Sequence, residues 1–331
     1  MDLKKLGNIP MEFENIYEQL FNSYNLILES MRKKALQYTI FQYVSILIII
    51  FGCIFLIIKL TTSIFLSFLD PIIYTVFLPL IIFIVLFIIF PVALSILTSL
   101  FNYLKHKPNK YYKQYCDACK KEIIPNLIKM INPQLIYKSL NDNDYSNIEL
   151  DYKKAIFDAR TFSRFYTDNY YIEENLTNDI ISIYNLRTED TDKKVNFEGI
   201  FAHFLSTKNI GTHIQILKKL PVTPIKSIKM DNEEFNKRFD VFSENEIITM
   251  QLLTSDMMES LVDFYDKYYI SYDLEIRNNA IYIRFFTGPM FEPKIFGSSM
   301  DKQLLFTYYC VLKFVLKVTQ KINKTLQELE I

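Results

Sequence analysis

A chain of 331 residues, half of them hydrophobic and only six of them glycine, can bury a large core and is not a disordered chain. Its 37 basic and 37 acidic side chains cancel, which excludes the strongly basic footprint of a nucleic-acid binder. Tryptophan is absent while Ile, Asn, Lys, Phe and Tyr are abundant, a bias that reads as the imprint of an AT-rich genome and not of a function.

Residues 1–40 form the first segment. Within it, Met11 to Lys34 reads as an amphipathic helix, with Phe13, Tyr17, Leu20, Tyr24, Ile27 and Met31 at alternating spacings of four and three. So short a seam favours packing on the chain's own globular domain over dimerisation, although a homo-oligomer stays open. The polar and mixed residues ahead of the first apolar run argue against a cleavable signal peptide.

Two apolar runs follow, Phe41 to Leu60 and Pro71 to Phe101. The second has no charged residue and the first has only Lys59, at its edge. About 20 residues at 1.5 Å rise cross a hydrocarbon core of ~30 Å, so the runs predict a two-helix transmembrane hairpin over 41–101. Pro79 and Pro91 are the expected bends in the longer span. Arg32, Lys33 and Lys34 precede the hairpin, and Lys105, Lys107, Lys110 and Lys113 follow it. The loop from Thr61 to Asp70 has no basic residue. The positive-inside rule then places both termini in the cytoplasm and the chain in the cytoplasmic (inner) membrane, with the lipid bilayer as its first partner. Neither span holds an ionisable pair, which disfavours a channel.

Residues 102–140 are read as a juxtamembrane segment. It is helical from Asn109 to Met130 and ended in steps by Pro125 and Pro133. It contains Cys116 and Cys119, a CxxC with no second CxxC. The three histidines (His106, His203, His213) are scattered, so neither a metal nor any other cofactor is expected, and the thiols read as small helix-face residues.

Residues 141–331 make the predicted cytoplasmic domain. A polar linker (Asn141 to Asn147) leads to a helix over about Ile148 to Phe162. Short strands are expected at Tyr170–Glu173, Ile180–Asn185, Phe197–Leu205 and Thr212–Leu217. Asp231 to Arg238 reads as one or two helical turns and Ile247 to Leu252 as a strand. Thr254 can cap a helix running to Lys267. A hairpin joins Ser271–Ile276 to Ala280–Phe286 through Arg277, Asn278 and Asn279. Ser298 and Asp301 are spaced as a capping box for a last helix, Met300 to Glu330. That helix has an apolar stripe (Tyr308, Val311, Val315, Val318, Ile322, Leu329) and a solvated lysine row (Lys313, Lys317, Lys321, Lys324). The fold class is α+β, with a mainly antiparallel sheet and a long C-terminal helix.

The chain contains no GxGxxG, Walker loop, GxSxG elbow, HExxH or kinase signature. Its paired carboxylates fall in turn-like stretches. Two segments rise above background. Phe197-Glu198-Gly199-Ile200-Phe201 sets a glycine in an aromatic strand, the mark of a bulge or of close backbone approach. Phe291-Glu292-Pro293-Lys294-Ile295-Phe296 reads as a loop with two aromatic anchors. Phe197, Gly199, Phe201, Phe291, Glu292 and Pro293 are the candidate contacts for a protein partner.

At these residues the sequence resembles a widespread bacterial family of two-span membrane proteins defined only as a domain of unknown function. The resemblance runs from about Phe157 to Asn323. It rests on the FEGIF segment, on the stretch from Asn232 to Ser243, on Leu252-Leu253-Thr254 before Met257-Met258, and on the hairpin, Phe291-Glu292-Pro293 and closing helix. The end departs from it, with Leu326-Gln327-Glu328-Leu329 in place of a short aromatic tail. The resemblance implies architecture and membrane location, and carries over no catalytic residue. Two functions are left: a membrane-anchored module that binds a partner protein or organises a membrane complex, and a membrane-tethered enzyme acting on a lipid or small soluble substrate. A transporter or channel subunit is a weaker third.

Overall fold

The computed structural model describes residues 9–67, 95, 98–99, 109–155, 162–175, 180–219, 227–288 and 293–328. The chain divides into two compact units. One comprises Met1–Leu26, Ala118–Lys294 and Met300–Ile331; the other comprises Ile27–Asp117 and Ile295–Ser299.

The first unit is a mixed α+β fold built on one eight-stranded sheet. Its strands are β1 (Ile136–Ser139), β2 (Arg164–Asn175), β3 (Ile180–Glu189), β4 (Val195–Leu205), β5 (His213–Lys218), β6 (Phe239–Ser243), β7 (Tyr272–Arg277) and β8 (Ala280–Phe285). They lie in the order β1-β2-β3-β4-β8-β7-β5-β6, and every adjacent pair is antiparallel. The helices named among the described residues are α1 (Met11–Ser67), α2 (Lys110–Ala118), α3 (Ile124–Ile131), α4 (Asp142–Lys154), α5 (Glu233–Arg238), α6 (Glu246–Leu252), α7 (Ser255–Tyr268) and α8 (Lys302–Glu328).

The period-2 pattern of the central strands gives the sheet two unlike faces. On one face the register aligns Phe204, Ile281, Ile276 and Ile214 in one row, and Ala202, Ile283, Leu274 and Ile216 in the next. Helices α7 and α8 cover it. Phe314 of α8 stacks on Phe264 of α7 at 3.9 Å between ring centroids and meets Tyr272 and Phe285 at 5.1 and 5.8 Å. The start of α1 packs on α8 as well, with Phe13 5.0 Å from Phe306 and 5.3 Å from Tyr309. Tyr17 donates to the Met300 carbonyl at 3.2 Å, Lys313 pairs with Glu12 at 2.8 Å, and Lys302 pairs with Glu14.

On the other face, α4 lays Ile148, Tyr152 and Ala155 over Tyr184, Leu186, Phe197, Phe201 and Tyr282. Toward β7 and β5 this face turns polar. Glu275 is fully buried and bonds His213 Nε2 at 2.8 Å, and Arg284 Nε donates to Asp273 at 2.8 Å.

Several elements depart from the sequence reading. Asn141 opens a helix instead of belonging to a linker: its side chain accepts from the Asp144 N–H while Asp144 caps the Asn141 N–H. Pro125 does not end its helix. The ladder loosens to a π turn over Cys119–Ile123, where the Ile124 N–H reaches back to the Cys119 carbonyl, and Pro125 sits at the start of the next helical stretch, where a missing N–H costs least. Ile247–Leu252 is helical, because the Asn245 side chain caps the Ile248 N–H. Asp301 rather than Ser298 caps α8, accepting from Gln303 and Leu304. Strands β1 and β6 were not anticipated.

In the second unit α1 continues without a break from the amphipathic segment into the first apolar run. Among the described residues no helix is long and apolar enough to cross a membrane. The second apolar run lies outside those residues except at 95, 98 and 99, as do the side chains at 50, 53, 54, 57, 58 and 60 of the first. The two-helix hairpin is therefore not among the described architecture.

Gly199 tests the sheet most sharply. A Cβ there would lie 1.9 Å from the Phe285 carbonyl oxygen and 2.9 Å from the Thr287 nitrogen, both backbone atoms that cannot move aside. Gly199→Ala is expected to destabilise the folded protein by about 2–5 kcal/mol, read as a fall in the denaturant midpoint with an unchanged slope.

Candidate functional site

Of the predicted contacts, Phe197, Phe201 and Pro293 are buried. Phe197 is 1% exposed and Phe201 is fully buried, both ringed by Tyr152 at 5.8 and 5.2 Å. Two aromatic residues separated by a glycine therefore serve the core beneath α4, and Gly199 serves the close approach to β8. Pro293 is buried, and Phe291 and Glu292 lie outside the described residues. The chain leaving β8 does return to the FEGIF strand, since the Gly288 N–H donates to the Glu198 carbonyl at 3.2 Å.

A polar cleft that the sequence reading missed lies at the end of α4. It encloses about 340 Å³ and is lined by Asp151, Lys154, His203, Arg277, Asn278 and Tyr282, among others. His203 is carried on β4 with the same facing as Phe201, and its ring lies parallel to that of Tyr282 at 4.9 Å. Its Nδ1 stands 3.4 Å from Asp151 Oδ2. Lys154 pairs with the other oxygen of Asp151 at 2.9 Å, and Arg277 donates to the Lys154 carbonyl at 3.1 Å. Burial holds the His203 imidazole below its usual 6.5, with the Asp151 carboxylate opposing that shift and Lys154 reinforcing it. Burial pushes the Tyr282 phenol up to about 12. The cleft thus joins one neutral imidazole, one carboxylate and two cations in hydrogen-bonding positions. His203 and Asp151 are 52 positions apart, so only the pairing of strands and the placing of α4 could bring them together.

A second cleft of about 230 Å³ contains Asp168, Asn185, Arg187 and Glu198. Its charges are matched internally: Lys120 and Asn185 bond Asp168 at 2.6 and 2.8 Å, and Arg187 bridges Glu189 and Glu198 at 2.7 and 3.2 Å. Among the described residues no group of three or more His, Cys, Asp or Glu could hold a metal ion. Cys119 is buried and Cys116 half-buried, while burial pushes the Cys310 thiol up to about 12.

The second unit presents a different surface. Phe41, Tyr43, Val44, Leu47, Ile48, Ile49, Phe51, Phe55 and Leu56 of α1 are all exposed, from 41% at Ile49 to 68% at Phe41 and Phe51. At the stretch of α1 just N-terminal to them, Asn109 joins α2 to α1. Its side-chain oxygen caps the Tyr111 and Tyr112 N–H groups, and its Nδ2 donates to the Ala35 carbonyl and the Thr39 hydroxyl at 3.0 and 2.9 Å. Tyr38 and Tyr111 meet edge to face at 5.5 Å, and the Lys110 ammonium lies 5.0 Å over the Tyr111 ring.

Residues 195–324 match the family model described as "Protein of unknown function (DUF3137)". The expected resemblance to a domain of unknown function holds, over a span that begins at β4 and not at Phe157. No curated protein matches the sequence. Among solved structures, the chain is similar to the mycobacterial trehalose monomycolate transport factor A, TtfA, at 9% identity and a TM-score of 0.36, over 61% of this chain and 93% of that one. So weak a likeness carries no argument about function.

His203 gives a measurable signature. The unfolded chain binds its proton near pH 6.5, whereas the folded chain holds that proton only at lower pH. The unfolded state therefore gains protons first on acidification, and His203 removes stability as pH falls through 6.5 toward its folded value. His203→Gln is expected to flatten the decline in Tm between neutral and mildly acidic buffer. Equal declines in wild type and variant would sink this assignment.

Proposed function

We propose that the protein is a membrane-anchored module that presents its α+β unit to a protein partner on the cytoplasmic side. The supporting observation is the apolar surface of α1 between Phe41 and Leu56. At 3.6 residues per turn its exposed side chains spread over roughly 240° of the helix circumference, far more than the single stripe of a helix packed on a core. Exposing nine large apolar side chains to water costs on the order of 10–20 kcal/mol, comparable with or above the whole net stability of a domain. A hydrocarbon environment removes that cost. The second apolar run, Pro71 to Phe101, would supply the returning span.

Basic residues support the orientation. Lys33, Lys34, Lys110 and Lys113 are exposed at the same end of the apolar segment, as the positive-inside rule requires of a cytoplasmic flank. The partner role draws on the α+β unit itself, whose two described clefts hold charges that pair chiefly with one another. The match to a family of unknown function fits this reading without adding a substrate.

The anchoring is tested by alkaline carbonate extraction of native membranes. The full-length protein is expected in the pellet, and protease should cut its α+β unit only in inside-out vesicles. Extraction into the supernatant would remove the membrane reading. Ile48→Arg with Phe51→Arg adds about 2.5–3.5 kcal/mol per charge at mid-helix and should shift protein out of the pellet. For the partner role, crosslinked full-length protein captured from membranes should retain a stoichiometric protein that a chain truncated after Lys107 loses.

A further inference from the structure

Within the second unit, the loop Ile295–Ser299 is held at both ends yet leaves its one aromatic side chain in the open. Arg32 of α1 donates from Nη1 to the Ile295 carbonyl at 2.7 Å, and Tyr115 of α2 donates to the Ser299 carbonyl at 2.7 Å. Arg32 is itself fixed by a two-pronged pair with Glu29, at 2.7 Å from Nε and 2.6 Å from Nη2. Gly297 takes φ +121°, a conformation that L side chains rarely adopt. At its tip Phe296 is 67% exposed. A large ring on a firmly held loop gains nothing from water.

We propose that Phe296 is an interfacial anchor that seats among the head groups of anionic phospholipids, with Lys33, Lys34 and Lys110 as cationic contacts. This deepens the membrane reading above and rests on it. The level of the loop on α1 supports the assignment. Its anchor at Arg32 lies nine residues, ~13 Å, from Phe41, where the exposed apolar run begins. The head-group layer fills about 5–8 Å of that distance. One extended residue of ~3.4 Å and the length of a phenyl ring cover the remainder. Nearer the apolar run, Tyr38, Tyr111 and Lys110 form the kind of amphipathic belt found at membrane–water boundaries.

Charge selects the lipid. The Arg32 guanidinium is matched by Glu29, whose carboxyl it holds below the usual range. Lys33 has only a 3.8 Å approach to the same Glu29, and the side chains of Lys34 and Lys110 are exposed. Besides Glu29, Asp117 of α2 is the one further carboxylate among the described residues of this unit, so the surface is net cationic. Each such lysine favours an anionic bilayer by about fivefold.

The absence of tryptophan from the sequence makes the test clean, because Phe296→Trp places a single indole in the full-length protein. The variant is reconstituted into vesicles of phosphatidylcholine alone, or of phosphatidylcholine with phosphatidylglycerol, each with or without brominated acyl chains. The expected result is blue-shifted emission with bromine quenching in phosphatidylglycerol vesicles, reduced when Lys33, Lys34 and Lys110 are changed to Gln. Solvent-like emission from protein that floats with the vesicles overturns the anchor and leaves the membrane reading standing. Blue emission without quenching assigns Phe296 to a protein contact and also overturns it. Equal quenching in both lipids removes the anionic selectivity, and failure to float overturns both readings together.

Discussion

The α+β unit depends on the burial of α8 against the sheet. Phe314 is the centre of that contact, touching Phe264, Tyr272 and Phe285 at once. An eight-stranded antiparallel sheet with rows of Ile, Leu and Phe on one face needs a cover that is itself apolar on more than one side. Helix α8 meets that need: from Leu305 to Leu312 it buries every residue in succession, and the start of α1 closes over Phe306 and Tyr309. Lys317 and Lys324 stay on its solvated side, while two lysines of the same row turn to partners on neighbouring helices. Lys313 reaches Glu12 with its ammonium over the Tyr309 ring, and Lys321 reaches the Asp256 carboxylate and carbonyl.

Where a single period dominates, the sequence announces the structure. The Phe197 to Leu205 strand, the Thr254 cap and the Asn278-Asn279 turn are legible because each is settled by local chemistry. Asn278 does adopt a positive φ of 54°, and the Thr254 side chain does accept from Met257. The misreadings are places where a polar side chain overrode propensity. Ile247, Ile248 and Thr249 look like a strand, yet Asn245 offers the backbone a helix cap, and Thr249 adds a bond to the Asn245 carbonyl. Asn141 is the same case. Pro125 shows a third kind of override, in which a π turn absorbs the break that proline would otherwise impose.

The site is less legible than the fold, for a topological reason. Gly199 was visible as a bulge or close approach because a glycine flanked by aromatics in a strand has few other uses. The flanking Phe197 and Phe201 invited a binding role, but their identical facing in the strand sends both into the core. His203 continues that same facing by two residues, so its burial could have been read from the period. Its partner Asp151 could not, since nothing in the intervening residues fixes where α4 will lie.

Helix α1 ties these considerations to function, because its neighbours change along its length while its backbone does not. At Phe13, Ile16 and Leu20 it buries one stripe, as a helix in water should. From Phe41 to Leu56 most described side chains are exposed apolar groups spread around most of the circumference; Ile46 is buried, and Gln42 and Ser45 are half-buried. The membrane-anchored reading proposed above gives the two patterns two different solvents. The region between them holds Lys33 and Lys34, the Tyr38–Tyr111 pair, and Asn109 supplying hydrogen bonds to Ala35 and Thr39. Polar groups that join two helices just before apolar exposure begins would be wasted deep in hydrocarbon and redundant in bulk water. On the membrane-anchored reading proposed above, they would hold the helices together at the depth where water runs out.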